Sequence, residues 1–560
     1  MYVDSSTIRV GDKVYTRHLL RESYREGKTV KHRTIANLSH CSPEEIEAIR
    51  LALRHKKDLT ELLQGNQVGR NTEKIEKKQG LSFGAVWLLA DIARQIGISS
   101  ALGNTRDGKL ALWQVIARVI DQGSRLSAAR LAGYHAACDI LGLDKFNEDH
   151  LYGNLDWLND HQKLIEDRLF KKIEQCHSGS GLYLYDVTSS YFEGTENELA
   201  AFGYNRDKKK GKLQIVIGLL CNGMGLPLSI EVFTGNTTDL KTVGSQIEKV
   251  KNRFGGDEVT MVGDRGMIKN HQIKDIQREG FHYITAITKP QIDKLLNEGS
   301  LQLELFDDEI AEIEANEGIR YIMRRNGRRA EEMNKGRSDK LASINKEVLK
   351  LNQYLKDHER AKEEVALNKI VAKTKKLKLA EWVTATINGK VISISIDKDE
   401  LAKESKLDGC YVLKTDLTKK QAAKEIVHDR YKDLTLVEMA FRTSKTVELE
   451  VRPINVRLES RTRGHVFVVM LAYRIIQELS KRWKDINLTV EEGIKELSTL
   501  CSTEVEMSGI GKVNQLPIPR ESIRNLLEAA KVKLPATLPC KGVKVTTKRK
   551  LTERRKHIVK

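Results

Sequence analysis

The stretch Tyr431-Lys-Asp-Leu434-Thr-Leu-Val-Glu438-Met-Ala-Phe441-Arg442-Thr-Ser-Lys445 sets one carboxylate between a phenol and a lysine, each seven residues away. On a helix, seven residues are almost two turns. Lys445 therefore falls within about 20° of the Glu438 face and ~10 Å along the axis. Arg442 stands one turn on, at i+4, on the same face. A face with one carboxylate and two cations suits a metal ion held beside a phosphate. The same spacing also describes a solvated helix with an i,i+4 Glu–Arg pair, so this segment alone leaves both readings open.

Two further carboxylates follow strand-like runs. Gly181-Leu-Tyr-Leu-Tyr185 leads into Asp186 and then Val187-Thr188-Ser-Ser, and Glu258-Val-Thr-Met-Val262-Gly leads into Asp264-Arg-Gly266. Aliphatic and aromatic runs of this kind are expected to be buried strands. An aspartate at the exit of such a strand can point into the crevice at a sheet edge, where α/β proteins bind ligands. For either aspartate alone, a turn or an N-cap is the competing explanation. The succession of two strand-end aspartates and a helical glutamate is harder to reconcile with chance.

These residues resemble those of the DDE transposases of bacterial insertion sequences, in the cut-and-paste group whose third acidic residue lies in a Y-x2-R-x3-E-x6-K signature. Tyr431, Glu438 and Lys445 match that signature, and Leu434 stands where it has arginine. The departure puts one phosphate contact in doubt but not the metal site. The resemblance extends upstream to Leu19-Leu-Arg-Glu-Ser-Tyr-Arg-Glu-Gly-Lys28 and downstream to Arg457-x-Glu459-x-Arg461-x2-Gly464-His465, so it covers most of residues 1–480.

The resemblance implies a catalytic triad of Asp186, Asp264 and Glu438 holding two Mg²⁺ ions, with Mn²⁺ as a substitute. Such paired ions sit roughly 4 Å apart and neutralise the entering and leaving oxygens of a phosphodiester. Mg²⁺ takes carboxylate oxygen and keeps waters, so three acidic side chains and DNA phosphates suffice. Tyr431, Arg442, Lys445, Arg461 and His465 are the implied DNA contacts. The implied partners are double-stranded DNA, as the element's terminal repeats and as target, and a second copy of the chain in a synaptic complex. The implied reaction cuts at the element ends and joins the freed 3′-hydroxyls to target DNA. No G-x4-G-K-[ST] motif is present, which fits transesterification without nucleotide hydrolysis. A ribonuclease H-like nuclease that does not join strands would share the triad. A transposase-derived DNA-binding protein would have lost a carboxylate, and all three positions are filled.

Composition points the same way. The formal net charge of +18 suits a polyanionic partner, because neutralised phosphates release counterions. The 7 cysteines include no C-x2-C pair, which argues for reduced thiols and against a zinc site or a disulfide framework. The polar start Met1-Tyr-Val-Asp4 and the short apolar run Val466–Tyr473 predict neither a signal peptide nor a membrane span. The expected location is the cytoplasm, with the nucleoid.

At 560 residues, two to four domains must position these groups. Residues 7–38 read as a β meander with turns at Gly11-Asp12 and Glu26-Gly27. Ser42-Pro43-Glu44-Glu45 opens a capping-box helix, closing a small N-terminal β/α region at 1–65. Residues 66–80 read as a linker. Residues 82–175 are helical: either a DNA-end-binding domain of helix-turn-helix kind or a bundle packed on the catalytic core. From 181 the strands, with helices at 240–253 and 269–278, follow the ribonuclease H-like order. That α/β catalytic core is expected at 178–290 and 418–480. The intervening gap is too long for a connection, so 291–417 is predicted to be an inserted helical/β domain. Its heptad stripe Leu341, Ile344, Val348, Leu351 and Leu355 predicts an internal helical hairpin, or a seam for a partner helix. Val447–Val451 reads as a strand before a long apolar helix. Residues 481–560 form a basic C-terminal region for oligomerisation or DNA contact, ending in a solvated tail with Lys548-Arg-Lys550 and Arg554-Arg-Lys556.

Overall fold

A left-handed Gly27 (φ 64°) follows the second strand of the first sheet. Tyr2–Val10 (β1), Lys13–Glu26 (β2) and Thr29–Asn37 (β3) pair antiparallel in that order. The computed structural model describes residues 1–10, 13–27, 29–54, 75–176, 181–192, 194–204, 206–207, 209, 211–255, 258–306, 310–315, 318–446, 449–451, 454, 456–507, 511–539 and 541–548. The predicted Gly11-Asp12 turn lies outside the described residues. After β3, Ser42 Oγ accepts the Glu45 N–H at 3.2 Å, and the Glu45 carboxylate accepts the Ser42 N–H at 2.7 Å. This reciprocal cap starts helix Pro43–Arg54.

Residues 66–74 of the expected linker lie outside the described residues, but its end is a strand. Ile75–Ser82 (β4) pairs antiparallel with Cys501–Met507, which pairs in turn with Gly511–Gln515. A run such as Ile-Glu-Lys-Lys-Gln-Gly reads as polar coil until a distant strand claims its backbone. The described residues of 1–82, 501–518 and 535–541 form one compact unit; those of 83–500, 519–534 and 542–548 form the other.

In the second unit, helices between Gly84 and Cys176 bury Trp113, Phe146 and Leu155. They pack on helix Glu459–Arg482, which is buried from Gly464 to Ile476. Gly464 permits this approach, since a Cβ there would lie 2.2 Å from the Leu155 carbonyl oxygen. The expected separate domain at 82–175 is therefore part of a larger unit, packed as a bundle. Its apolar faces are continuous with those of the later helix.

Among the described residues the same unit holds ten strands. They are Leu182–Tyr191 (β5), Gln214–Asn222 (β6), Pro227–Thr234 (β7), Thr260–Gly263 (β8), His282–Ala286 (β9), Ala311–Glu314 (β10), Arg320–Arg325 (β11), Val383–Asn388 (β12), Val391–Ile396 (β13) and Cys410–Thr415 (β14). Eight of these make one mixed sheet, in the order β10-β11-β14-β9-β8-β5-β6-β7. β5, β8 and β9 are mutually parallel, while β6 and β7 run on antiparallel from β5. The protein is thus mixed α/β.

The predicted insertion at 291–417 is only partly independent. β10, β11 and β14 extend the central sheet, and Ile292, Phe306, Met323 and Val412 form a shared core with Ile287. A strand's own pattern does not say which sheet will adopt it. Helix Gly327–Asp357 buries Ile344, Val348, Leu351 and Leu355 against Ala366 and Ile370 of helix Glu363–Leu377 and against the β12–β13 hairpin. The heptad stripe is therefore spent within the chain.

Leu449–Val451, the described end of the expected strand Val447–Val451, is not a strand; residues 447 and 448 lie outside the described residues. The Val451 N–H instead bonds the Ser444 carbonyl at 2.8 Å. Lys548 is exposed, as expected of the tail, and its Nζ lies 2.9 Å from Asp149 in a surface ion pair. Residues 549–560, with the other tail cations, lie outside the described residues. Among the described residues no helix is long and apolar enough to cross a membrane.

Candidate active site

Alternation along β5 decides where Asp186 points. Tyr183, Tyr185 and Val187 enter the core with Val243, Ile247 and Met261. Leu184, Asp186 and Thr188 take the opposite face, against which helix Leu434–Lys445 packs. Asp186 lies within the strand rather than at its exit, since β5 runs five residues further to Tyr191, held by its pairing with β6. Asp264 does follow the last residue of its strand, Gly263. Tyr185 pairs in parallel with Gly263, so the next residues, Asp186 and Asp264, are neighbours across two central strands.

Each aspartate accepts the N–H of the residue after it at 2.7 Å, Val187 for Asp186 and Arg265 for Asp264. The Glu438 helix buries Leu434, Val437, Ala440 and Phe441, which leaves Glu438 on the cleft side. Asp186, Asp264, Tyr431 and Glu438 line one cleft of about 600 Å³. The Tyr431 hydroxyl donates to Asp264 at 3.3 Å. Burial and the nearby carboxylate push its phenol up from its usual value.

The electrostatics call for a cation. Burial pushes the Asp186 carboxyl up to about 7; the Val187 N–H and Arg206 oppose this, while Asp264 and Glu438 add to it. Among the described residues no group of three histidine, cysteine, aspartate or glutamate side chains is placed to hold a metal ion, so Asp186, Asp264 and Glu438 line the cleft without converging on one point. The donor set is instead an open acidic cleft of carboxylate oxygens, the chemistry Mg²⁺ and Mn²⁺ prefer.

The cations sort unevenly. Lys445 and Arg442 line an adjoining lobe with Asp186, Asp264 and Glu438. Lys445 Nζ pairs with Asp207 at 3.2 Å. Leu434 is buried at the cleft wall, so no cation comes from that position. Arg461 and His465 do not join the site. Arg461 Nε bonds Asp156 at 3.0 Å, on the side of the helical bundle. His465 is buried, 4% exposed; its Nε2 lies 2.9 Å from the Val451 carbonyl and its Nδ1 3.5 Å from Arg125. Burial, with Arg118 and Arg125 adding to it, depresses the imidazole well below its usual value. Burial thus favours the neutral ring and sets it away from the cleft. Sequence spacing placed these two residues one or two turns into a helix; it did not reveal which neighbours would cover them.

Sequence reading also missed several groups. Arg206 lines the lobe beside Asp186, and Arg265, Lys289, Arg329 and Lys432 line the larger cleft, as does Tyr411. Arg265 had a legible signal, since it directly follows Asp264. The others sit in charged segments indistinguishable by composition from solvated ones.

An acidic cleft ringed by cations on a mixed sheet defines a protein that works on phosphodiesters. Residues 177–475 match the family described as transposase DDE domain, and residues 3–66 match the IS1634 family transposase N-terminal domain. The chain belongs to the DDE transposases, and its enzyme class is that of a divalent-metal-dependent, DNA-cleaving transposase. A solved structure of the piggyBac transposase synaptic complex with hairpin DNA is 9% identical, with a TM-score of 0.33, covering 80% of this chain and 79% of that one. No curated protein matches the chain.

Proposed function

We propose that Asp186, Asp264 and Glu438 are the catalytic carboxylates of a ribonuclease H-like core. They hold two Mg²⁺ ions, or Mn²⁺, in cutting the ends of a mobile element and joining them to target DNA. One observation carries the reading: the β5–β8 register sets Asp186 beside Asp264, on a sheet that also seats the Glu438 helix, and the three line one cleft. The order β7-β6-β5-β8-β9, antiparallel and then parallel, supports the ribonuclease H-like core. The metal ions supply charge neutralisation at the attacking and departing oxygens. The chain's own residues do the rest. Tyr431 braces Asp264, and Lys445 and Arg442 hold a phosphate on the strand being cut.

The DNA is double-stranded, both as the element's terminal repeats and as target. Two copies of the chain bring the two ends together, in the cytoplasm at the nucleoid. End recognition belongs to the N-terminal region and the helices before residue 176. The decisive experiment incubates the protein with Mg²⁺ and DNA bearing the terminal repeats read from the sequence flanking the gene. Joined products support a transposase with this site. Cut-only products mean a nuclease, and a mobility shift without cutting means a binding module.

A further inference from the structure

We propose that Phe202 and Tyr204 form a stacking platform for unpaired DNA bases next to the cleft. The proposal rests on the reading of Asp186 as part of a DNA-cutting site. Phe202 is 68% exposed and Tyr204 87%. Neither ring belongs to a loose backbone. Ala201 and Gln214 exchange both backbone hydrogen bonds at 3.0 Å. The buried Gln214 amide also donates to the Tyr204 carbonyl at 3.2 Å and to the Gly235 carbonyl at 2.8 Å. Gly203, between the two aromatics, lies so close to Gly235 that a Cβ would sit 2.1 Å from its carbonyl oxygen. Beyond, the Arg206 N–H bonds Ser189 Oγ at 3.0 Å, and its guanidinium bonds Asp239 at 2.5 Å and the Val187 carbonyl. The chain is thus fastened on both sides of two rings that it holds out to solvent.

Charge and position identify the occupant. The same segment runs on through Lys208, Lys209, Lys210 and Lys212, which suits a phosphate backbone. Arg206 lines the lobe that holds Asp186. Tyr204 is two residues away, at most about 7 Å of extended chain. Successive nucleotides of a strand rise about 3.4 Å, so the ring reaches bases within roughly two nucleotides of the phosphate being cut. Aromatic rings stack on any base, and neighbouring cations favour a strand's phosphates; residues 208 and 210 lie outside the described residues.

The test uses the full-length protein and a forked DNA of the element's end, with 2-aminopurine in the two unpaired terminal positions. Stacking quenches its fluorescence. Wild type and Asp186→Asn are expected to quench severalfold. The double variant Phe202→Ala/Tyr204→Ala is expected to leave the signal unquenched and to bind the fork roughly tenfold more weakly, yet bind fully paired DNA as wild type does. Tyr204→Trp should keep the quench. Equal quenching by the double variant overturns the proposal. So does unchanged fork binding with lost self-association in sedimentation, which would assign the rings to a second copy of the chain. Because the quench is read without Mg²⁺, it is separate from cleavage. Failure of wild type to cut would count against the catalytic reading alone.

Discussion

Helix Leu434–Lys445 and the first turns of helix Glu459–Arg482 each carry one glutamate and two basic residues, and the fold treats them in opposite ways. Leu434–Lys445 is amphipathic, so Glu438, Arg442 and Lys445 keep a face on the cleft. Glu459–Arg482 is apolar nearly all round and sits in the middle of the helical packing. Its first turns meet Asp156, Val451 and Arg125 before any DNA could. The difference teaches that a cation's availability is set by what other elements bring to it, not by its own spacing from a carboxylate.

The comparison can be broken most sharply at Asp186, which the first helix faces. Asp186→Asn keeps the shape and loses the charge. Cleavage and joining should fall by about a thousandfold or more, several kcal/mol of barrier, while a gel shift on the same preparation shows end binding retained. Persistent cleavage would remove Asp186 from the reaction. On the second helix, His465→Ala should act on stability instead. Losing a buried ring and its bond to Val451 costs about 2–3 kcal/mol, read as a lower Tm, with DNA affinity of the folded protein unchanged. A Tm like wild type with weakened DNA binding would reverse the assignment.

Lys445→Ala should weaken end binding or cutting by about tenfold, because a phosphate clamp positions rather than activates. Stability should fall as well, by about 1–3 kcal/mol, because the Lys445 and Asp207 side chains are only 15% and 18% exposed and Asp207 would lose this cation. Wild-type cutting would take Lys445 out of the site. A smaller effect concerns pH. Asp186 has a folded value of about 7 against an ordinary 3.8. Between those values the folded state binds the extra proton, so metal-free stability should fall as pH rises toward and through 7. Mg²⁺ binds the ionised form, so the Tm gain on adding it should be larger at pH 8 than at pH 6. Equal gains would contradict that linkage. Least of all, Arg461→Ala should cost under about 1 kcal/mol and leave DNA binding within twofold; a tenfold loss would return Arg461 to the DNA-facing surface.

Much of this was legible in the chain. The central strands and the two helices between them fall where periodicity puts them, because buried parallel strands are continuous apolar runs. Asp264 was readable as a strand-end residue. Asp186 was not, because β5 ends where its pairing with β6 ends, not where an acidic residue first interrupts the apolar run. β10, β11 and β14 looked like parts of a separate insertion because a strand's pattern records burial and not its partner. Arg206 was hidden for a related reason: only the fold of the 201–212 segment brings it to Asp186.

The β5–β8 pairing also bears on synthesis. Asp186 and Asp264 become neighbours once the chain has passed residue 264, but Glu438 follows 174 residues later (438 minus 264). At about 5–20 residues per second, a growing chain spends roughly ten to thirty seconds with two of the three carboxylates. A product that ends in that interval carries an incomplete acidic cleft, the complete first sheet, and the helices before residue 176 without the Glu459–Arg482 helix on which they pack. Completion of the acidic cleft and of the bundle's packing therefore both wait for residues beyond 430.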